Sequence, residues 1–401
     1  MSDLELPNGD SRPSEARFVL PFFEDRTVKP FELFFDLVFV FALTQVTLYV
    51  ESHLDWQGFG EGVALLATLW LMWSSYAWVG ASIDLEEGPV RLVMIAAMGV
   101  LLVTALAVPR AFDDSAIIFA VGYAAIRGMQ MLLFAVGARS QEGLLQATLQ
   151  IAPSATLGPG LILVGAITET GPLVVWIGVA MVGEYLYMLF MDVSGFQVSP
   201  SFFSERHGLI FIVALGEALI SVGIGASGLE LTGSVIGATL LGFGIIVAMW
   251  WTYFDVNAIA GERQLSALVG VAQVRAAQHA YTYLHLSMMI GIVFFSLGAK
   301  ETLAHPDEPV QSMVAFALVG GPALYLLSQI GFRGRLAKSL SIPRTVAVVG
   351  YLSLLLIEDK FTAIALLTAA TAIMTVLVTY EAWAHRVARR AVRRSHEIRW
   401  E

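Results

Sequence analysis

The chain has 401 residues, 57% hydrophobic and only 14% charged, with a mean hydropathy of +0.73. Soluble domains carry about 25% charged residues, and one water-soluble core of this size cannot hide so much apolar surface. Composition therefore excludes a soluble enzyme, a disordered regulator and a nucleic-acid binder, while the absence of cysteine excludes disulfides and thiolate metal sites.

In chain order, residues 1–30 are polar, contain Pro13, Pro21 and Pro30, and lack the apolar core of a signal peptide. They are expected to be an N-terminal cytoplasmic tail. A bilayer-spanning helix needs roughly 20 mostly apolar residues. The runs 62–83, 92–109, 143–168, 231–254, 276–299, 309–332 and 361–380 contain no Asp, Glu, Lys or Arg, and 31–52, 113–138, 171–191 and 205–227 contain one to three. Adding the short run 342–357 gives twelve predicted helices; the fifth carries Pro153 and Pro159. With the amino terminus inside, all 23 basic residues except Arg110, Arg127, Lys300 and Lys360 fall in the tails or inner loops. This alternation follows the positive-inside rule. The expected fold is an all-α polytopic membrane protein in the cytoplasmic (inner) membrane, with about twelve transmembrane helices and both termini cytoplasmic.

The polar, Pro-containing segment 192–203 divides the chain into a first six-helix half, 31–200, and a second, 201–385, followed by a basic cytoplasmic tail, 386–401. Ala42-Leu43-Thr44-Gln45 echoes Ala214-Leu215-Gly216-Glu217, and Trp73-Ser-Ser-Tyr76 echoes Trp250-Trp-Thr-Tyr253. Two parallel six-helix repeats, with a site between them, are a known transporter plan.

Ionisable groups inside a bilayer cost at least ~2.5 kcal/mol at the helix centre, so each needs a reason. Glu32 and Asp36 lie four residues apart, on one face of the first helix. A negatively charged first turn accounts for Glu32, whereas Asp36 sits a turn deeper. The seventh helix begins Ser204-Glu205-Arg206-His207, with Ser204 or a neighbour as its cap, and Arg206 can reach a carboxylate of the first half. Glu217 lies roughly 15 Å beyond His207 at 1.5 Å per residue, among Gly216, Ala218, Ser221 and Gly223. It is a candidate for proton or cation handling. Arg127 is the basic residue at mid-depth, with Glu184 as the simplest partner and Glu217 as another. His279 and His285 in the ninth helix are six residues apart, on different faces, and make no metal pair. Tyr76, Tyr253, Asp255 and His279 are secondary candidates. Glu32, Asp36, Asp84, Arg206, His207, Asp255 and His279 all fall on the inner side, as an inward polar vestibule leading to Glu217 would require. Trp70, Trp73, Tyr76 and Trp78 read mostly as packing or an interfacial belt.

Phosphate loops, His-Glu-x-x-His and Gly-x-Ser-x-Gly are absent from the sequence, so no enzyme, cofactor or metal is expected. Glu32-Leu-Phe-Phe-Asp36-Leu-Val-Phe-Val-Phe-Ala42-Leu-Thr-Gln45, with Glu205-Arg-His-Gly208 and Leu215-Gly-Glu217, resembles the bacterial low temperature requirement A proteins over residues 28–385. That resemblance implies a polytopic membrane protein associated with growth in the cold, with Glu32, Asp36, Arg206, His207 and Glu217 as motif positions. Phe34-Phe35-Asp36 is also similar, more faintly, to the first-helix element of the endolysosomal potassium channels with twofold six-helix repeats. Phe35 and Pro30 stand where that family has Ser and Arg.

The leading expectation is transport or ion permeation of a proton, cation or small solute, with Asp36 and Glu217 handling the ion and Arg206 and His207 gating or pairing. The alternative is a non-transporting membrane protein that supports cold growth through lipid or partner binding; a lipid-modifying enzyme ranks last. The bilayer is the expected partner, with a small ion or solute as cargo and no nucleic acid; the sequence leaves oligomeric state open.

Overall fold

A backbone crossing lipid must satisfy its own N–H and C=O groups, which leaves helices as the solution for runs this apolar. The computed structural model describes residues 27–384 and 386, apart from residues 87, 140 and 141. The tail 1–26 and all but residue 386 of the basic segment 386–401 lie outside the described residues. Among the described residues, eleven helices are long and apolar enough to cross a membrane.

The first half comprises α1 (Pro30–Ser52), α2 (Trp56–Ser82), α3 (Gly88–Ala107), α4 (Ala116–Gly137), α5 (Glu142–Thr168) and α6 (Leu173–Phe190). The second comprises α7 (Pro200–Ser227), α8 (Gly233–Phe254), the short α9 (Asn257–Ser266), α10 (Gly270–Ala304), α11 (Ser312–Ala337), α12 (Ile342–Leu355) and α13 (Ala363–Ala384). The chain is thus an all-α multi-pass membrane protein.

Several boundaries differ from the charge-free runs, each for a local reason. α2 starts six residues before the expected 62, because Asp55 caps it by accepting from Gly58 N at 2.7 Å and Glu61 accepts hydrogen bonds from Tyr49 and Gln57 inside. α7 is not capped at Ser204. Pro200 occupies its first turn, where a fixed φ and a missing N–H cost nothing. α5 passes through Pro153 and Pro159 unbroken. α12 has only 14 residues, about 21 Å at 1.5 Å per residue, against a hydrocarbon core near 30 Å. The connectors beyond it are ordered: Glu358–Lys360 forms a 3-10 turn, and Val310 N donates to Phe361 O at 3.2 Å beside the Pro309–Thr362 bridge.

Much of the order of helix neighbours recurs in the two halves, although α2 packs closely on α4 where α8 has no such close packing on α11. α1 packs on α2 and α3, α2 on α6, and α3 to α6 in sequence; α7 packs on α8 and α10, α8 on α13, and α10 to α13 in sequence. α2 is buried around nearly its whole circumference and touches α7 and α10 across the seam, while α1 packs on α7 and α10. Two π-helical turns interrupt the second half, Gln278–Tyr283 in α10 and Phe316–Gly320 in α11. The two helices meet backbone to backbone: a Cβ on Gly291 would stand 2.6 Å from Gly321 O, and one on Gly298 2.5 Å from Leu318 N. Small residues at such crossings let van der Waals packing act between backbones.

Candidate functional site

Pro30 opens α1 and Pro200 opens α7 on the same side of the molecule, so residues equally far along the two helices lie at one level. Asp36 and Arg206 each lie six residues in, about 9 Å at the α-helical rise. They meet across the seam, Arg206 Nη2 donating to Asp36 Oδ1 at 3.0 Å, both side chains fully buried. Trp73 Nε1 on α2 donates to the same oxygen at 2.8 Å. The guanidinium lies over the rings of Phe35 and Trp73, 6.0 and 5.7 Å from their centroids. Asp36 Oδ2 and Arg206 Nε and Nη1 have no protein partner.

His207 is the next residue on α7. Its Nδ1 bonds Phe203 O at 2.8 Å, and its Nε2 is buried without a partner. The rings of Trp73, Phe203, Tyr281 and His285 surround it at 4.5–5.3 Å between centroids. His285 bonds Tyr253 OH at 2.8 Å and Ala280 O at 2.9 Å. Tyr281 belongs to the π-turn of α10, where Trp70 Nε1 donates to Thr282 O at 2.7 Å and Trp78 Nε1 to Thr282 Oγ1 at 3.1 Å. Trp70, Trp73 and Tyr76 are therefore interior groups that bond across helices, not members of an interfacial belt; Tyr76 OH donates to Ile126 O at 3.1 Å.

The remaining expected residues fall into separate places. Glu32 closes a capping box with Lys29, whose N–H donates to Glu32 Oε2 at 2.9 Å, and its other oxygen faces Gly80. Lys29 Nζ reaches Asp84 at 2.8 Å and Glu86 at 3.3 Å. Glu217 lies just past the middle of α7, where Thr47 and Lys300 are its polar neighbours, and Lys300 pairs with Glu51 at 2.7 Å. Between the Asp36 and Glu217 levels, Phe39, Ala42, Leu43 and Val46 pack with Ile210, Phe211, Ala214 and Leu215, all buried. The inward polar set and Glu217 are thus separated by an apolar layer. Asp255 is buried at the end of α8, and His279 faces outward between α6 and α11.

Arg127 takes Glu184 and not Glu217 as its partner, at 3.0 Å, with Gln130 at 2.7 Å and Ser154 at 3.2 Å; Tyr123 also bonds the carboxylate. A cavity of about 30 Å³ lined by Arg127, Gln130, Ser74 and Ser75 adjoins this pair, room enough for a water molecule. The second half holds its own buried Arg–Glu pair, on its fifth and sixth helices, that charge-free runs do not reveal. Arg344 donates from Nε and Nη2 to Glu381 at 2.8 and 2.9 Å, from Nη1 to Gln329, and from Nη2 to Thr252 O at 3.2 Å. Arg344 reads as a loop cation from sequence because it stands at the mouth of the shortest apolar run.

The profile of the family described as Bacterial low temperature requirement A protein (LtrA) matches residues 27–379. The protein named Uncharacterized protein RA0937 of Rhizobium meliloti (strain 1021) is 32% identical over 317 residues, covering 75% of this chain and 76% of that protein. No solved structure matches the chain. The family profile spans most of the chain, including α1 with Asp36 and α7 with Arg206, His207 and Glu217: the chain belongs to the bacterial low temperature requirement A family.

Proposed function

We propose that the protein is a permeation or transport protein for a proton, cation or small solute in the cytoplasmic membrane, with both termini inside and the seam between two parallel repeats as its pathway. The observation that carries this reading is the Asp36–Arg206 pair. It is fully buried, joins the two halves, and leaves three charged-group atoms and His207 Nε2 without protein partners. An unmade hydrogen bond on a buried group costs about 1–3 kcal/mol, more when the group is charged. A contact serving only to hold helices together gains nothing from such vacancies, whereas a gate needs polar capacity ready for water or an ion.

In this reading the pair is the closed gate. Protonation of Asp36, or an ion competing for its free oxygen, removes the attraction that holds Arg206. His207 and the π-turn carrying Tyr281 sit beside the guanidinium and respond to its release. Glu217, with Thr47 and Lys300, forms the second polar station beyond the apolar layer. The similar order of helix neighbours in the two halves supports the parallel-repeat arrangement.

The test is flux in liposomes loaded with a pH-sensitive or cation-sensitive dye. The wild type is expected to pass a proton, cation or solute, and Asp36→Asn and Glu217→Gln to lose that flux while retaining their elution and melting profiles. Wild-type vesicles that stay silent across a broad panel of ions and solutes overturn the reading. Impermeant labelling that puts the two tails on different sides overturns the topology.

A further inference from the structure

Between the two halves, on the lipid-facing side, α6, α10 and α11 enclose a crevice of about 660 Å³. Its walls include Leu186, Leu189, Leu284 and Gly331, and its polar end is formed by His279 and Arg335. Leu186 is 51% exposed, so the crevice opens sideways. A Cβ on Gly334 would meet nothing within 4 Å, so the space continues along α11.

The polar end has a defined hydrogen-bonding character. Arg335 Nε donates to His279 Nδ1 at 2.9 Å. Guanidinium is only a donor, so Nδ1 is the accepting nitrogen and the proton of a neutral ring sits on Nε2. That Nε2 is buried and has no partner. Arg335 forms no ion pair among the described residues, and the charged neighbours of His279 are Arg335 and Arg275. Arg275 is spent on Leu189 O at 2.9 Å and Gln278 at 3.2 Å. The crevice therefore offers an unneutralised guanidinium, held through Nε by the His279 ring, at one end, and aliphatic walls at the other. Arg335 stands two residues before the end of α11, on the side where α1 begins, which is headgroup level.

We infer that this crevice is a binding site for one anionic phospholipid, its phosphate on the free Nη groups of Arg335, which the His279 ring orients, and its acyl chain along Leu186, Leu189 and Leu284. Basic pockets between transmembrane helices recognise anionic headgroups in this manner. The inference does not depend on any transport activity.

Full-length protein in detergent, titrated with phosphatidylglycerol or phosphatidylcholine and read by native mass spectrometry, tests it. One phosphatidylglycerol is expected to be retained about fivefold or more better than phosphatidylcholine. Arg335→Gln should abolish that preference. Leu186→Trp fills the mouth of the crevice from a lipid-exposed position, so it leaves the fold and Arg335 intact and should weaken retention even if Arg335→Gln does not fold. Equal retention of the two lipids, or full retention by Leu186→Trp, overturns the inference. Displacement of phosphatidylglycerol by inorganic phosphate at matched concentration assigns the cations to a free anion and overturns the lipid site.

Discussion

The buried arginines at the seam and in the second half make opposite use of their nitrogens. Arg344 bonds through all three, to Glu381, Gln329 and the Thr252 carbonyl. Arg206 bonds through one, to Asp36, and that carboxylate leaves an oxygen bare. A saturated pair works as a staple, because every broken bond must be replaced. A sparsely bonded pair between two halves has fewer bonds to lose and spare capacity to give. Position agrees with this division: Arg344 and Glu381 link neighbouring helices of one half, whereas Asp36 and Arg206 are 170 residues apart and link two.

The largest expected effect attacks the saturated pair. Arg344→Ala strands Glu381 and Gln329 and should cost about 3–5 kcal/mol, read as a loss of unfolding stability in detergent. At the seam, the double substitution Asp36→Leu with Arg206→Met should be near neutral or stabilising, by up to about 4 kcal/mol, since apolar replacement of a buried ion pair removes its desolvation penalty. The same variant should abolish flux. A stability loss as large as that of Arg344→Ala would erase the distinction between latch and staple. Gly158→Ala comes next. Its Cβ would stand 1.8 Å from Glu184 Oε1, so the carboxylate must shift and loosen its bond from Tyr123, at about 1–3 kcal/mol in a melting experiment.

The smallest effect lies outside the membrane, at Lys29. Burial lowers its pKa, but the hydrogen bonds and charges of Asp84 and Glu86 outweigh it and raise the pKa above 10.5. A raised folded-state pKa means the contribution is complete below about pH 10.5 and is lost as pH climbs through the folded value. Lys29→Met should cost under about 1 kcal/mol at neutral pH, because an exposed pair is screened, and the difference from wild type should vanish in strongly alkaline buffer.

Much of the plan was legible in the sequence because bilayer physics acts on composition. Charge-free runs located the spans, and the alternation of basic residues put Asp36 and Arg206 on one side; that they share one level came from the start of α7 at Pro200, four residues before the expected Ser204. Arg127 and Glu184 were legible as a pair because each interrupts an apolar run within the same half. Hidden groups were of two kinds. Arg344 and Glu381 sit at the ends of runs, where a charge reads as a boundary even when its side chain folds back inside. Tyr281 and His285 owe their approach to His207 to the π-turn at Gln278–Tyr283, which no 3.6-residue periodicity encodes. Trp73 carried no sign of its bond to Asp36, because an indole that packs and an indole that donates have the same sequence signature.

The shortness of α12 has a consequence for the surrounding membrane. A 14-residue helix falls about 9 Å short of the hydrocarbon thickness. At fractions of a kcal/mol per Å, that mismatch strains the adjoining leaflets by an amount comparable to a single mutation. Bilayer thinning, snorkelling of flanking residues or association with a neighbour is what a span this short requires, and the groove α12 shares with α13 lies on the same flank. Bilayer thickness is therefore expected to act on this flank more than on the longer helices, which match the hydrocarbon core.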